Sequence, residues 1–131
     1  MSRNRIKAKT RREQGPYIAI PLSVLNSGEF TALSCIAVKL LLDLNAQYRG
    51  NNNGDLCLAW TVMVKRGWRS RETLDRACKE LTAAEFIVVA RQGGRNLPSL
   101  YALTYLGIDE CKGKIDIAPT VVPPSYWKKN R

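Results

Sequence analysis

The chain has 131 residues, 45% of them hydrophobic and 24% charged, enough for one globular domain that needs no disulfide or metal to hold it. Lysine and arginine total 21 against 11 acids, and the resulting formal charge of +10 draws polyanions such as DNA, RNA or an anionic membrane face. There is no histidine, so the commonest general base near neutral pH is missing, and no run is long and apolar enough to span a bilayer.

Residues 1–16 hold Arg3, Arg5, Lys7, Lys9, Arg11 and Arg12 with one acid, Glu13, and almost nothing apolar. Such a stretch cannot bury enough surface to fold alone, which predicts a disordered basic arm ending at Gly15-Pro16. It either adds phosphate or minor-groove contacts or serves as a solubility tail. No apolar stretch follows the basic residues as it does in a signal peptide, so a cytoplasmic location is expected.

Tyr17-Ile18-Ala19-Ile20 reads as a short strand, and Pro21 suits the first turn of a short helix through Leu25 and Asn26. Leu33, Ile36, Ala37, Leu40, Leu41, Leu44 and Tyr48 recur at helical spacing and predict the first long helix, capped by Ser34 or Thr31. Lys39 and Asp43 form an i,i+4 pair on its opposite face. Gly50-Asn51-Asn52-Asn53-Gly54-Asp55 is a turn, because these residues tolerate positive φ and bond locally. Leu56-Cys57-Leu58 then makes a brief strand.

A second helix is predicted over residues 59–66, with Trp60, Met63 and Val64 on one face and a stop at Gly67. Ser70 opens the third helix as its N-cap, the hydroxyl accepting from the N–H of Thr73 or its neighbour. Leu74, Ala77, Cys78 and Leu81 face the core, while Arg69, Arg71, Glu72, Asp75, Arg76 and Lys79 hold the opposite surface. Residues 86–91 form a β-rich run, residues 92–98 a glycine-bearing loop, and residues 100–104 a second strand that Pro98 precedes or edges. Beyond Gly107 periodicity is lost. Pro119, Pro123 and Pro124 predict an extended tail over residues 107–131, from which Val121, Val122, Tyr126 and Trp127 are free to dock.

Little of this supports catalysis. Cys35, Cys57, Cys78 and Cys111 form no CxxC pair, and without histidine a zinc site needs all four to converge. Cys35 and Cys78 fall on apolar helix faces, as small buried hydrophobes in a reduced setting. Gly93-Gly94 lacks the lysine and helix of a phosphate-binding loop and reads as a hairpin turn. Asp109-Glu110 reads as a solvated turn. No enzymatic activity, cofactor or metal is expected.

Nucleic-acid binding has the better constellation. The order helix, tight turn at Gly67-Trp68-Arg69-Ser70, arginine-bearing helix, strand, loop, strand is the outline of a winged helix-turn-helix. In that α+β architecture of three main helices and a short β-hairpin wing, residues at the start of the second helix of the motif meet base edges. Here these are Arg69, Ser70, Arg71, Thr73 and Arg76. Arginine forms bidentate bonds to guanine, and serine and threonine reach phosphates or bases. Lys65 and Arg66 would flank the backbone, and Arg91, Gln92, Arg95 and Asn96 would form the wing. Taken singly, exposed arginines serve solvation and glycine-rich tips are turns; their joint order carries the reading.

The chain also resembles winged helix-turn-helix proteins of phages, prophages and plasmids, and is similar to the DNA-binding domains of their replication initiators. The likeness rests on Gly50-Asn51-Asn52-Asn53-Gly54, Lys65-Arg66-Gly67-Trp68, Ser70-Arg71-Glu72-Thr73-Leu74, Ala77 with Leu81, Phe86-Ile87 and Ser99-Leu100-Tyr101. It covers about two-thirds of the chain. Where that family has a glycine before the wing strand, this chain has Ala84-Glu85-Phe86.

The expectation is a winged-helix domain over residues 17–106 that binds specific double-stranded DNA in transcriptional or replication control of a mobile element. A homodimer is compatible with such a role, with the C-terminal tail as its candidate interface. The alternative keeps the fold as a protein-interaction module that binds and inhibits a host nucleic-acid-handling complex. Glu72, Asp75, Glu80 and Glu85 motivate it, since they make the third helix less uniformly basic.

Overall fold

Side-chain caps decide where the two long helices begin. Ser34, in extended backbone, accepts from the N–H of Ala37 and starts a helix over Cys35–Gln47, and Ser70 accepts from the N–H of Thr73 and starts another over Arg71–Ala83. Each cap satisfies one of the donors a helix leaves unpaired at its first turn. The computed structural model describes residues 11–128, so the basic arm expected over residues 1–16 falls mostly outside the described residues.

In chain order the described elements are α1 (Leu22–Leu25), α2 (Gly28–Thr31), α3 (Cys35–Gln47), β1 (Leu56–Cys57), α4 (Trp60–Met63), α5 (Arg71–Ala83), β2 (Ile87–Arg91) and β3 (Leu100–Leu103). A 3₁₀ turn, Val64–Arg66, tightens the end of α4, and another covers Cys111–Gly113. The strands form one antiparallel sheet in the order β1-β3-β2, with Leu56 opposite Tyr101 and Val88 opposite Ala102. This is an α+β arrangement of helices and a small three-stranded sheet.

The apolar stripes predicted for the long helices meet one another. Leu40, Leu41 and Leu44 of α3 pack with Leu74, Ala77 and Leu81 of α5 over Ile87 and Leu103 of the sheet. Each fully buried large side chain stabilises the fold by about 1.5–3 kcal/mol. The sheet's other face carries a second cluster. There Ala90, Ala102 and Ile108 pack with Val88, Ile115 and Ile117, and the N–H of Asp116 donates to the carbonyl of Ala90 at 2.7 Å. The segment after Leu106 therefore covers the sheet, and it ends with Trp127 buried and stacked on Phe86 at 5.6 Å.

Four local expectations give way to packing. Residues 17–20 join no strand, and of them only Ile20 reaches the core. Pro21 is the N-cap of α1 rather than its first helical residue. Cys35 is exposed, since the first position of α3 lies beyond the helix that covers the rest of the stripe. Val64 is exposed as well, because the 3₁₀ winding turns it off the face that buries Met63.

The turn over residues 50–55 is held by Asn53, which is fully buried. Its Oδ1 accepts from the N–H of Leu103 at 2.7 Å, and its Nδ2 donates to the carbonyls of Leu103 and Gly107 at 2.9 and 2.8 Å. The side chain thus completes the sheet's hydrogen bonding where β1 has not yet begun. Nearby, Asn45 of α3 donates to the buried hydroxyl of Tyr105. Burial pushes that phenol up to about 12 against the opposing pull of the hydrogen bond.

The corner after α5 closes in a Schellman pattern. Phe86 N–H donates to Leu81 O, and Glu85 N–H donates to Thr82 O, both at 3.1 Å. Glu85 takes φ 63, the left-handed backbone region that glycine enters without a Cβ penalty. The glutamate therefore carries a Cβ strain that glycine lacks. Glu85→Gly is expected to be about 1 kcal/mol more stable than Glu85→Ala, since both remove the carboxylate and only alanine keeps the Cβ. Paired urea titrations check this, and equal midpoints would contradict the strain.

Candidate nucleic-acid interface

The turn between α4 and α5 is built by the same pattern with the favoured residue in place. Gly67 has φ 94; its N–H donates to Val64 O at 3.2 Å, and the N–H of Trp68 donates to Met63 O at 3.3 Å. Glycine adopts that φ without the steric penalty of a Cβ. Trp68 then turns inward and is buried beside Met63 in the main core.

The indole N–H of Trp68 meets a carboxylate. Asp43, predicted on the solvent face of α3, has a side chain only 6% exposed. Its Oδ2 accepts from Trp68 Nε1 at 2.8 Å and from Lys39 Nζ at 3.0 Å. Its Oδ1 accepts from Nε and Nη2 of Arg66 at 3.2 and 3.0 Å. Lys39 Nζ also donates to the carbonyl of Arg66 at 2.9 Å and lies 5.4 Å from the Trp68 ring centre. One carboxylate thereby ties the turn to α3. Burial works to raise its pKa, but the hydrogen bonds from Trp68, Lys39 and Arg66 outweigh burial and hold it below the ordinary carboxylate value.

The sequence signal for this hub was the Lys39/Asp43 spacing alone. Arg66 and Trp68 lie more than 20 residues further on, so nothing local points to them.

On α5 the predicted contact residues sit on the first turns and mostly face solvent. Arg69, Ser70, Arg71 and Arg76 are exposed, and Thr73 is half-buried. The Ser70 hydroxyl is engaged as the cap, 3.2 Å from the N–H of Thr73. Arg71 lies over the Trp60 ring at 5.4 Å, a cation–π contact that lends the guanidinium a preferred direction. Arg76 Nη2 approaches Thr73 Oγ1 at 3.4 Å. Asp75 pairs with Lys79 at 3.1 Å, both well exposed, so this acid and base offset each other. Lys65 is exposed on the 3₁₀ turn, while Arg66 is committed to Asp43.

Glu80 also has a structural task. Its carboxylate accepts from the N–H and the hydroxyl of Ser34 at 2.8 and 2.6 Å, bracing the start of α3 from α5.

The β2–β3 hairpin carries the second group. Gly93 allows the two arms to close, because a Cβ there would stand 2.5 Å from Leu97 O and Ser99 N. Arg95 and Asn96 lie exposed at the tip, inside a Gly94/Leu97 bridge, with Asn96 at φ 61. Gln92 is exposed on the arm. Arg91 is less available: Nη2 donates to the carbonyl of Pro98 at 3.0 Å, and its Nε is buried.

Tyr101 links the hairpin base to α5. Its hydroxyl accepts from the Cys78 thiol at 3.5 Å, and burial, followed by the Cys78 contact, raises its pKa while Ser99 opposes the rise.

Eight predicted residues are thus exposed with no structural commitment beyond a local contact or a cap: Lys65, Arg69, Ser70, Arg71, Arg76, Gln92, Arg95 and Asn96. Among the described residues no group of histidine, cysteine or acidic side chains is arranged to hold a metal, and no helix is long and apolar enough to cross a membrane. Comparison with known proteins finds no matching family model, no similar curated protein and no similar solved structure.

Proposed function

We propose that the chain is a sequence-specific double-stranded DNA-binding protein with a winged helix-turn-helix fold, acting in transcriptional or replication control of a mobile element. In this reading α4, the Gly67 turn and α5 form the helix-turn-helix, and the β2–β3 hairpin is the wing. The observation that carries it is the element order α3-β1-α4-α5-β2-β3 with exposed Arg69, Arg71 and Arg76 at the start of α5. A helix presented this way offers its N-terminal dipole to phosphates and its arginines to base edges.

The acids weigh less against this reading than their number suggests. Asp75 is paired with Lys79 and Glu80 braces Ser34, which leaves Glu72 as the exposed acid nearest the arginines. No catalysis, cofactor or metal forms part of the proposal.

A salt titration tests it. If Arg69, Arg71, Arg76 and Arg95 each neutralise a phosphate, log K for duplex DNA falls with log salt at a slope of about −3 to −4. A slope shallower than about −1 would overturn the proposal. Selection of bound sequences from random duplex then gives the site, and a palindrome would add a dimer with its half-site spacing.

A further inference from the structure

Pro16, Tyr17, Ile18 and Ala19 lie beside the C-terminal half of α3 without pairing into the sheet, and a cavity opens on each side of them. One, of 340 Å³, is lined by this segment with Asn45, Tyr48, Arg49 and Leu106. The other, of 490 Å³, is lined by Pro16, Tyr17, Ile18, Leu42, Ala46, Tyr48 and Arg66. The ridge between them is apolar and open to water: Tyr17 is 70% exposed, Ile18 41% and Leu42 43%. Adjacent apolar side chains left in solvent at the mouths of two cavities mark an interaction surface rather than scattered exposure.

Cations outnumber acids around this surface, although Tyr48 has its pKa raised by burial and then by nearby Asp109. The charged residues lining the two cavities are Arg49 and Arg66, and no acid lines either of them. Arg12 adds a third guanidinium, 4.7 Å from the Tyr17 ring centre. Arg66 is held by Asp43, yet half of its side chain stays exposed. A second copy of a chain carrying +10 would bring like charge to a cationic rim and be repelled.

We infer that this double cavity docks an acidic amphipathic segment of another protein. One apolar side chain of the partner enters each cavity, and its carboxylates face Arg12 and Arg49. This is the helix-in-groove mode, in which apolar anchors at helical spacing supply affinity and charge supplies orientation and rate. The surface stands apart from the proposed DNA interface and shares only Arg66 with it, so it does not depend on that reading. It would let the chain hold a protein partner while α5 is engaged elsewhere.

The test uses the full chain and a labelled helical peptide of about five turns, with leucines on one face and glutamates elsewhere. A control of identical composition has its leucines shuffled off the face, so that total charge is unchanged. At physiological ionic strength the patterned peptide is expected to bind at least about tenfold more tightly by fluorescence anisotropy. Amide shifts on binding should centre on residues 17, 18, 42 and 46. Leu42→Glu and Ala46→Glu, both at exposed positions of α3, should each weaken binding about tenfold with thermal unfolding unchanged.

Equal affinity of the two peptides would overturn the inference, as would shifts confined to residues 69–76, where a basic face attracts any acid. Sedimentation showing a dimer that Leu42→Glu dissolves would assign the surface to a second copy instead.

Discussion

Duplex binding is expected to weaken about 100-fold when Arg71 and Arg76 are both replaced by alanine, with stability changed by less than about 0.5 kcal/mol. Both side chains are exposed and on the first two turns of α5. Their partners in the free protein are slight: Arg71 lies over Trp60 at 5.4 Å, and Arg76 approaches Thr73 at 3.4 Å. An arginine set against a guanine edge contributes about 1–3 kcal/mol of discrimination. Two such residues are therefore worth about 2–6 kcal/mol, a range that brackets the roughly 2.7 kcal/mol that 100-fold represents.

The two roles an arginine can play are separable in the same experiment. If both residues neutralise phosphates, the salt slope falls by about 1.8 and affinity drops uniformly across sequences. If they read bases, the slope changes little and selectivity relaxes at two positions. Unchanged affinity would mean that α5 is not the element in the groove.

Asp43→Ala is expected to lower unfolding stability by about 3 kcal/mol. The change leaves the Trp68 indole N–H buried without an acceptor and removes three charge-assisted bonds from Lys39 and Arg66. Because both cations are about half exposed, they regain water, and the buried indole accounts for most of the loss. Denaturant titration measures it. A loss below about 1 kcal/mol would show that the turn is held by Trp68 packing alone.

The same carboxylate makes the wild type sensitive to acid in a defined direction. Its folded pKa lies below the ordinary 3.8, so its stabilisation is fully present above that value. It is lost as pH falls through the lowered folded pKa, when the proton displaces the hydrogen bonds. Between pH 7 and 5 this group contributes no pH dependence, and the difference between wild type and Asp43→Ala should stay constant there.

Much of the framework was legible because the deciding interactions are short-range. Ser34 and Ser70 cap helices through N–H groups three residues on, and Gly67 ends a helix through a backbone angle that its missing side chain permits. The repeat of leucines along α3 and α5 names their buried faces, since a helix brings every third or fourth residue to one side. For the same reason the helical repeat alone puts Arg71 and Arg76 of α5 on the solvent side.

Other assignments depended on partners far along the chain. Asp43 is polar and lies opposite a leucine stripe, yet Arg66 and Trp68 cover it from 23 and 25 residues away. Glu80 braces Ser34, 46 residues earlier in the chain, whose hydroxyl donates to its carboxylate at 2.6 Å. Arg66 and Arg91 shared the composition of a binding site with Arg71 and Arg95, and tertiary contacts gave the first pair structural tasks.

Residues 17–20 have a strand's composition but pair with no strand, which leaves Tyr17 and Ile18 as a surface. A periodic pattern names the face of an element because the backbone repeats within a turn or two. The neighbour that face meets, and the charge that ends up covered, follow from how the elements close around one core.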